Sequence, residues 1–295
     1  MIKTFQFFIQ ILDHSRNINL RIIQNLDFKF DVIGVTETKL IKDRKPDFDI
    51  QMQGYKCYHV DTEAEKGGSM IYISNSLNSK RRLDLEKLMY KSEVLESTFI
   101  EIINPAKKNV VVGCVYRHPS MDLTEYNSDY LEPFLEHFDK ENKKKYLIGD
   151  FNIDLLKVDE NSTSSSFFDT MTSSLFIPHI IHPTRITPSS KTLIDHIWSN
   201  SVNYEEGMSG NLTFSLSDHL AQFLIIPEEC HHTKTKLDQY TYDLKNFDKE
   251  NFYSDLQDLQ WNGYSDPNDA FVGLQNKIDT ITNKYLHKRK MAKMR

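Results

Sequence analysis

The chain has 295 residues, a formal net charge of −6, and 39% hydrophobic, 26% charged and 12% aromatic residues. That balance excludes general disorder, and the length accommodates one large α/β domain with an appendage or two smaller domains. Overall attraction to polyanions is also excluded, so nucleic acid would have to be met by a local basic strip or through bound metal.

In chain order, the first apolar run, 5–11, is broken by Gln6 and Gln10 and lacks a small-residue cleavage site, so it reads as a strand and not a signal peptide. A helix is predicted over 19–26, and strands over 30–36, 69–73, 98–103 and 110–116, from short runs rich in Val, Ile, Tyr and Phe. A helix at 123–138, a strand at 146–148 and a helix at 166–175 follow; the polar run 161–166 reads as a surface loop able to cap that helix. Strands at 193–198 and 221–226 complete the first part. Strands and helices do not alternate strictly, which favours a layered α/β sandwich of mostly antiparallel sheets over a doubly wound parallel fold.

After Pro227 the character changes: 240–262 is polar with scattered aromatics, and 266–285 repeats apolar residues at helical spacing. The expected division is a main domain over 1–228 and a helical extension over 229–295. The extension closes on Lys288, Arg289, Lys290, Lys293 and Arg295, a basic end suited to nucleic acid, to a nuclear import signal, or simply to a solvated helix terminus. No run approaches the roughly 18 apolar residues of a membrane helix. Cys57, Cys114 and Cys230 are odd in number and far apart, as for reduced thiols of a cytosolic or nuclear, non-secreted protein.

Polar groups recur at the ends of apolar runs. Tyr146-Leu147-Ile148-Gly149 leads into Asp150-Phe151-Asn152, where alternation would aim Asp150 and Asn152 to one side: a carboxylate to accept a proton and an amide to donate to a phosphate oxygen. A plain Gly-Asp turn is the competing reading. Ser217-Asp218-His219 precedes the strand at 221–226, and a carboxylate near His219 would keep its imidazole protonated close to neutrality. Asp195, inside an otherwise apolar run, is costly there unless paired or metal-bound, and is the natural partner of His219. His196 falls on the opposite face and reads as core or surface. Glu37 ends the run 30–36; with Asp218 it supplies the hard oxygens that suit magnesium. Tyr116 ends the run 110–116, placed either for phosphate contact or for packing.

This ordered set resembles the endonuclease/exonuclease/phosphatase superfamily over about 5–227. Its motifs here are Thr36-Glu37-Thr38, Val115-Tyr116-Arg117-His118-Pro119, Gly149-Asp150-Phe151-Asn152, Leu193-Ile194-Asp195-His196-Ile197 and Ser217-Asp218-His219. Gly34 to Leu40, Gly67 to Ile73 and Pro183-Thr184-Arg185 are most similar to the endonuclease domain of LINE-type, non-LTR retrotransposons. The resemblance implies a four-layered α/β sandwich, two mainly antiparallel sheets flanked by helices as in deoxyribonuclease I. It implies Mg2+, with Mn2+ as the alternative, double-stranded DNA as the partner, and nicking that leaves a 3′-hydroxyl. By matched position, Glu37 and Asp218 would hold metal, Asp150 would orient the attacking water, and Asn152 and Tyr116 would contact phosphate. Asp195 would hold a protonated His219, and Thr184 and Ser217 would line the site.

One departure is expected to matter. Phe8 stands where the family's first strand carries a site-organising asparagine, and losing such a hydrogen bond costs on the order of a few kcal/mol of transition-state stabilisation. That motivates the alternative of an inactive, truncated or domesticated copy, acting as a nucleic-acid or protein-binding module through its C-terminal extension. A third reading keeps the chemistry and changes the substrate to RNA or a phosphoinositide.

Overall fold

The computed structural model describes residues 5–11, 29–43, 50–63, 66–105, 107–201, 207–212, 218–226, 240–243, 247–259 and 267–290. The chain forms two compact units, Met1–Thr235 and Lys236–Arg295. In the first, the elements in chain order are β1 (Phe5–Ile11), β2 (Val32–Thr36), β3 (Tyr55–Val60), β4 (Ser69–Ser74), β5 (Ser79–Arg81), α1 (Leu83–Leu88), β6 (Leu95–Ile102) and β7 (Val110–Arg117). A continuous helix, α2, runs through Leu123–Glu125, a π-helical Tyr126–Leu131 and Glu132–Asp139. Then come β8 (Lys144–Asp150), α3 (Ser162–Ser173), β9 (Ile177–Pro178), β10 (Arg185–Ile186), β11 (Lys191–Thr192), β12 (Asp195–Ser199), β13 (Met208–Leu212) and β14 (Ala221–Ile226).

Two six-stranded sheets result, ordered β13-β14-β1-β2-β4-β3 and β5-β6-β7-β8-β12-β9, with β10 and β11 as a separate hairpin. Only β1 with β2 and β7 with β8 run parallel among these pairs. The two-residue period of a strand sorts side chains between layers. In β7, Val110, Val112 and Cys114 join Val32, Ile71, Ile148 and Leu224 in the core between the sheets. Val111 and Val115 face the other way, into a cluster with Phe134 and Phe138 of α2, Phe167 of α3 and Trp198. Each fully buried side chain of this kind contributes about 1.5–3 kcal/mol, so β7 is held from both faces. The outer face of the first sheet carries a third cluster, including Ile33, Val35, Met70 and Tyr72.

Local chemistry accounts for several boundaries. Asp122 caps α2 by accepting from the Glu125 amide. Pro133 lies in the following turn; its ring opposes the carbonyl four residues back, and the wider π turn immediately before it relieves that conflict. The run 161–166 is not a loop: Asn161 accepts from the Thr163 amide and α3 starts at Ser162. Six strands of this unit that carry no buried residue, β3, β5, β9, β10, β11 and β13, were not expected from the sequence. The helix expected at 19–26 lies outside the described residues.

In the second unit, β15 (Tyr240–Asp243) pairs antiparallel with β16 (His287–Lys290), so the basic triplet is strand and not helix end. Between them lie α4 (Lys249–Gln257) and α5 (Pro267–Tyr285), joined where Lys284 and the Tyr285 hydroxyl both donate to Asp255, at 2.6 and 2.8 Å. No helix among the described residues is long and apolar enough to cross a membrane.

Candidate active site

Register builds the site. Across four neighbouring strands of the second sheet, Glu96 is opposite Tyr116, Tyr116 opposite Asp150, and Asp150 opposite Asp195. Residues in register share a face, and these share it with Ile100, Cys114, Ile148 and Ile197 of the core between the sheets. The row is therefore the polar end of an otherwise apolar inner face. Glu37 follows β2 and His219 precedes β14, both strands of the opposing sheet.

Asp195 is wholly buried and accepts a hydrogen bond from His219 Nδ1 at 3.0 Å. Burial pulls the His219 pKa down, but the hydrogen bond and charge of Asp195, with the charges of Asp150 and Asp218, outweigh it and lift the imidazole to about 9. The sequence-based pairing of these two residues is observed. Asp150 is pushed well above the ordinary carboxylate range by burial and then by Asp195; His219, the Asn152 amide and Glu37 have smaller effects of mixed sign. The Tyr116 hydroxyl is raised by burial, then by Glu37, Asp150 and Glu96, and Glu37 lies within its hydrogen-bonding reach.

Asn152 reaches the site by a route that alternation does not predict. The strand stops at Asp150 and Asn152 adopts a left-handed φ of 50°. Its amide N–H donates to Asp150 Oδ1 at 2.9 Å and its side-chain Nδ2 donates to the Arg117 carbonyl at 2.9 Å. Arg117 returns the contact, donating to the carbonyls of Phe151 at 2.7 Å and Asn152 at 2.9 Å. Arg117 thus clamps the turn that carries Asn152, a part that its place beside Tyr116 did not reveal. Gly149 enforces the preceding bend: its φ is 133°, and a Cβ there would lie 2.0 Å from the Val115 carbonyl oxygen.

Other expected residues are placed differently. Thr184 is fully buried, and its hydroxyl accepts from the amides of Ile194 and Asp195 at 3.2 and 3.1 Å, so it supports Asp195 from beneath and does not line a surface. Asp218 is half-exposed and accepts from Arg185 Nε at 2.7 Å. Ser217 lies outside the described residues. His196 stacks on Phe151 at 5.0 Å, and burial lowers its pKa to about 4, which makes it a neutral core histidine. Phe8 is in register with Ile33, whereas the residue level with Thr36 is Ile11. At about 3.3 Å per residue, position 8 sits roughly 10 Å short of the strand end that approaches Glu37.

The donor set fits a divalent cation. Carboxylate oxygens of Asp150 and Asp195 lie within 4.8 Å of each other and of a ring nitrogen of His219, and because the imidazole is held protonated it is the carboxylate oxygens that are free to ligate. Glu37, Asp150 and Asp195 act together on the local titrations against a single imidazolium, His219. Hard carboxylate oxygens in excess of local positive charge suit Mg2+ or Mn2+. Glu37 and Asp218 are not drawn into one cluster: Glu37 stands beside Tyr116 and Asp218 beside Arg185.

The two facing sheets, with strand ends that converge on carboxylates and a held imidazole, define a layered α/β sandwich with a candidate site at one end. Solved structures with this fold include the endonuclease domain of TRAS1, a telomere-specific non-LTR retrotransposon, at 11% identity and TM-score 0.58, covering 76% of this chain and 98% of that one. The 3′-5′ exonuclease NExo of Neisseria meningitidis matches at 17% identity and TM-score 0.56, over 75% and 99% of the two chains. The catalytic domain of Xenopus laevis APE2 matches at 15% identity and TM-score 0.54, over 79% and 94%. Curated protein sequences give no significant match. The family profile described as Endonuclease/Exonuclease/phosphatase family matches residues 10–219, and the chain belongs to that family, whose members are typically hydrolytic nucleases or phosphatases.

Proposed function

We propose that the chain is a Mg2+-dependent phosphodiesterase that nicks double-stranded DNA, of the type found in retrotransposon endonuclease domains. The carrying observation is the inner-face row Tyr116–Asp150–Asp195 with His219 locked on Asp195. Asp150 would orient and deprotonate the attacking water, a role its neighbours tune by holding its proton affinity high. His219, kept protonated through neutrality, would donate toward the charge developing on a non-bridging phosphate oxygen, and Tyr116 and Asn152 would supply further donors there. Asp195 orients the imidazole and Arg117 orients the Asn152 turn. Glu37 with the neighbouring carboxylate of Asp150 would hold the metal ion, which when bound supplies Lewis-acid charge neutralisation, while Asp218, paired with Arg185, stands apart. Among the structures of this fold, NExo is bound to a product DNA hairpin, which supports DNA as the substrate class.

Incubation with supercoiled plasmid and Mg2+ should yield open circles, and Asp150→Ala should slow conversion at least about 10³-fold, as expected for losing a positioned base in a preorganised site. Equal conversion by both proteins would refute the assignment. Absence of nicking by the wild type with either Mg2+ or Mn2+ would favour the inactive binding module.

A further inference from the structure

Glu96 lies in register beside Tyr116 in the row just described, yet no role above uses it. It is 0% exposed, and neither carboxylate oxygen has a well-formed hydrogen bond among the described residues. Burial lifts its pKa to about 7, against smaller opposing pulls from the Gly68 amide, the Thr62 hydroxyl and Lys66, with Glu93 adding to the rise. A buried carboxyl with so little compensation is costly and is retained where it serves geometry or function.

What it touches is the turn Gly67–Gly68. Both glycines have left-handed φ values, 83° and 92°. A Cβ on Gly67 would lie 2.9 and 3.2 Å from the two Glu96 oxygens and 3.2 Å from the Tyr116 ring. A Cβ on Gly68 would lie 2.3 Å from Thr38 Oγ1. The turn is therefore wedged between Glu96 and Tyr116 of one sheet and the segment after β2 of the other. It is fixed to that segment by the Lys39 amide, which donates to the Gly67 carbonyl at 2.8 Å. Immediately beyond, Ser69 Oγ and Thr98 Oγ1 join the two sheets at 2.8 Å. The segment so held carries Glu37 and Lys39 at φ of 52° and 51°, conformations that persist only where surroundings impose them.

We propose that Glu96 is a positioning residue of the candidate site: it braces the Gly67–Gly68 turn, which in turn fixes Glu37 beside Tyr116 and Asp150. This rests on the phosphodiesterase reading for its consequence, but the brace itself can be measured without activity. In the full-length protein, the Lys39 and Gly68 amides of Glu96→Ala should exchange with solvent at least about tenfold faster than in the wild type, while core amides of β7 keep their protection. Glu96→Gln, which keeps the shape and the acceptor oxygen, should restore slow exchange. Unchanged protection at Lys39, or loss spread through β7, would overturn the brace even if the chain cuts nothing.

The consequence is read by a double-mutant cycle on plasmid nicking. A displacement of about 1 Å in a preorganised site costs up to roughly 100-fold, so Glu96→Ala should slow nicking by about 10- to 100-fold and Glu96→Gln by less than about threefold. In a Glu37→Ala background the same Glu96→Ala change should cost less than about twofold, because the group it positions is already gone. Effects that multiply in full would overturn positioning through Glu37. A wild type that fails to nick would instead sink the phosphodiesterase reading, leaving the exchange result to decide the brace.

Discussion

Two charged clusters sit at opposite ends of the second sheet and behave in opposite ways. At the end carrying the start of β8 and the far end of β6, Arg82 pairs with Asp84, Glu101 and Glu141, and Lys143 pairs with Glu101 and Glu141. There, Arg82 foremost and Lys143 after it bring Glu141 down to about 2, and the lysines and Asn109 around Glu101 overcome the upward pull of its burial. At the other end, Asp150 and Glu96 are held up, and the imidazolium of the cluster, His219, is hydrogen-bonded to Asp195. A compensated network is architecture; carboxylates in excess of their cationic partner in a buried row are maintained against their own cost, which is the mark of a site. The contrast also disposes of a rival. Asp84, His137 and Glu141 could group around a cation, but Arg82 already occupies their charge.

The largest effect at the site end, after loss of Asp150 itself, is expected on breaking the Asp195–His219 pair. His219 is lifted to about 9, above its ordinary 6.5, so its ionic contribution is complete below about 6.5 and is lost as pH rises through 9. Nicking should fall over that upper limb. Asp195→Asn should slow nicking about 10²- to 10⁴-fold at pH 8 and move the limb down toward 6.5. Adding His219→Ala to it should cost little more, since the two act as a unit. A pH–rate profile for the three proteins checks this.

At the architectural end, Arg82→Met should leave the nicking rate per folded molecule unchanged while lowering stability by roughly 3 kcal/mol, read by urea unfolding. The folded value of Glu141 lies below its ordinary 4.5, so its contribution is present above about 4.5 and is lost as pH falls toward 2. Wild type and variant should therefore converge in stability in acid. The smallest effect is predicted for Phe8→Asn. Because position 8 is in register with Ile33 and not with the strand end near Glu37, nicking should change by less than about twofold; a large gain would show that β1 meets the site at position 8 after all.

The buried strands and the pairing of Asp195 with His219 were legible because apolar runs and a charge inside one of them are properties of single segments. β3 was not, since its side chains are mostly only partly buried and its run Tyr55-Lys56-Cys57-Tyr58 reads as mixed. Cross-strand register is invisible in one segment, so Glu96 went unnoticed at the start of a strand expected to begin at 98, and Arg117 passed for a neighbour of Tyr116. The left-handed turn at Asn152 and the burial of Thr184 depend likewise on which backbone groups meet in space.

The claim that the Asp150 end carries carboxylates in excess of its imidazolium, leaving room for a divalent cation, is tested most directly by thermal unfolding with and without Mg2+. The account predicts that about 10 mM Mg2+ raises the Tm of the wild type and of Arg82→Met alike, and that Asp150→Asn abolishes the rise. No rise in the wild type, or an equal rise in Asp150→Asn, would contradict it.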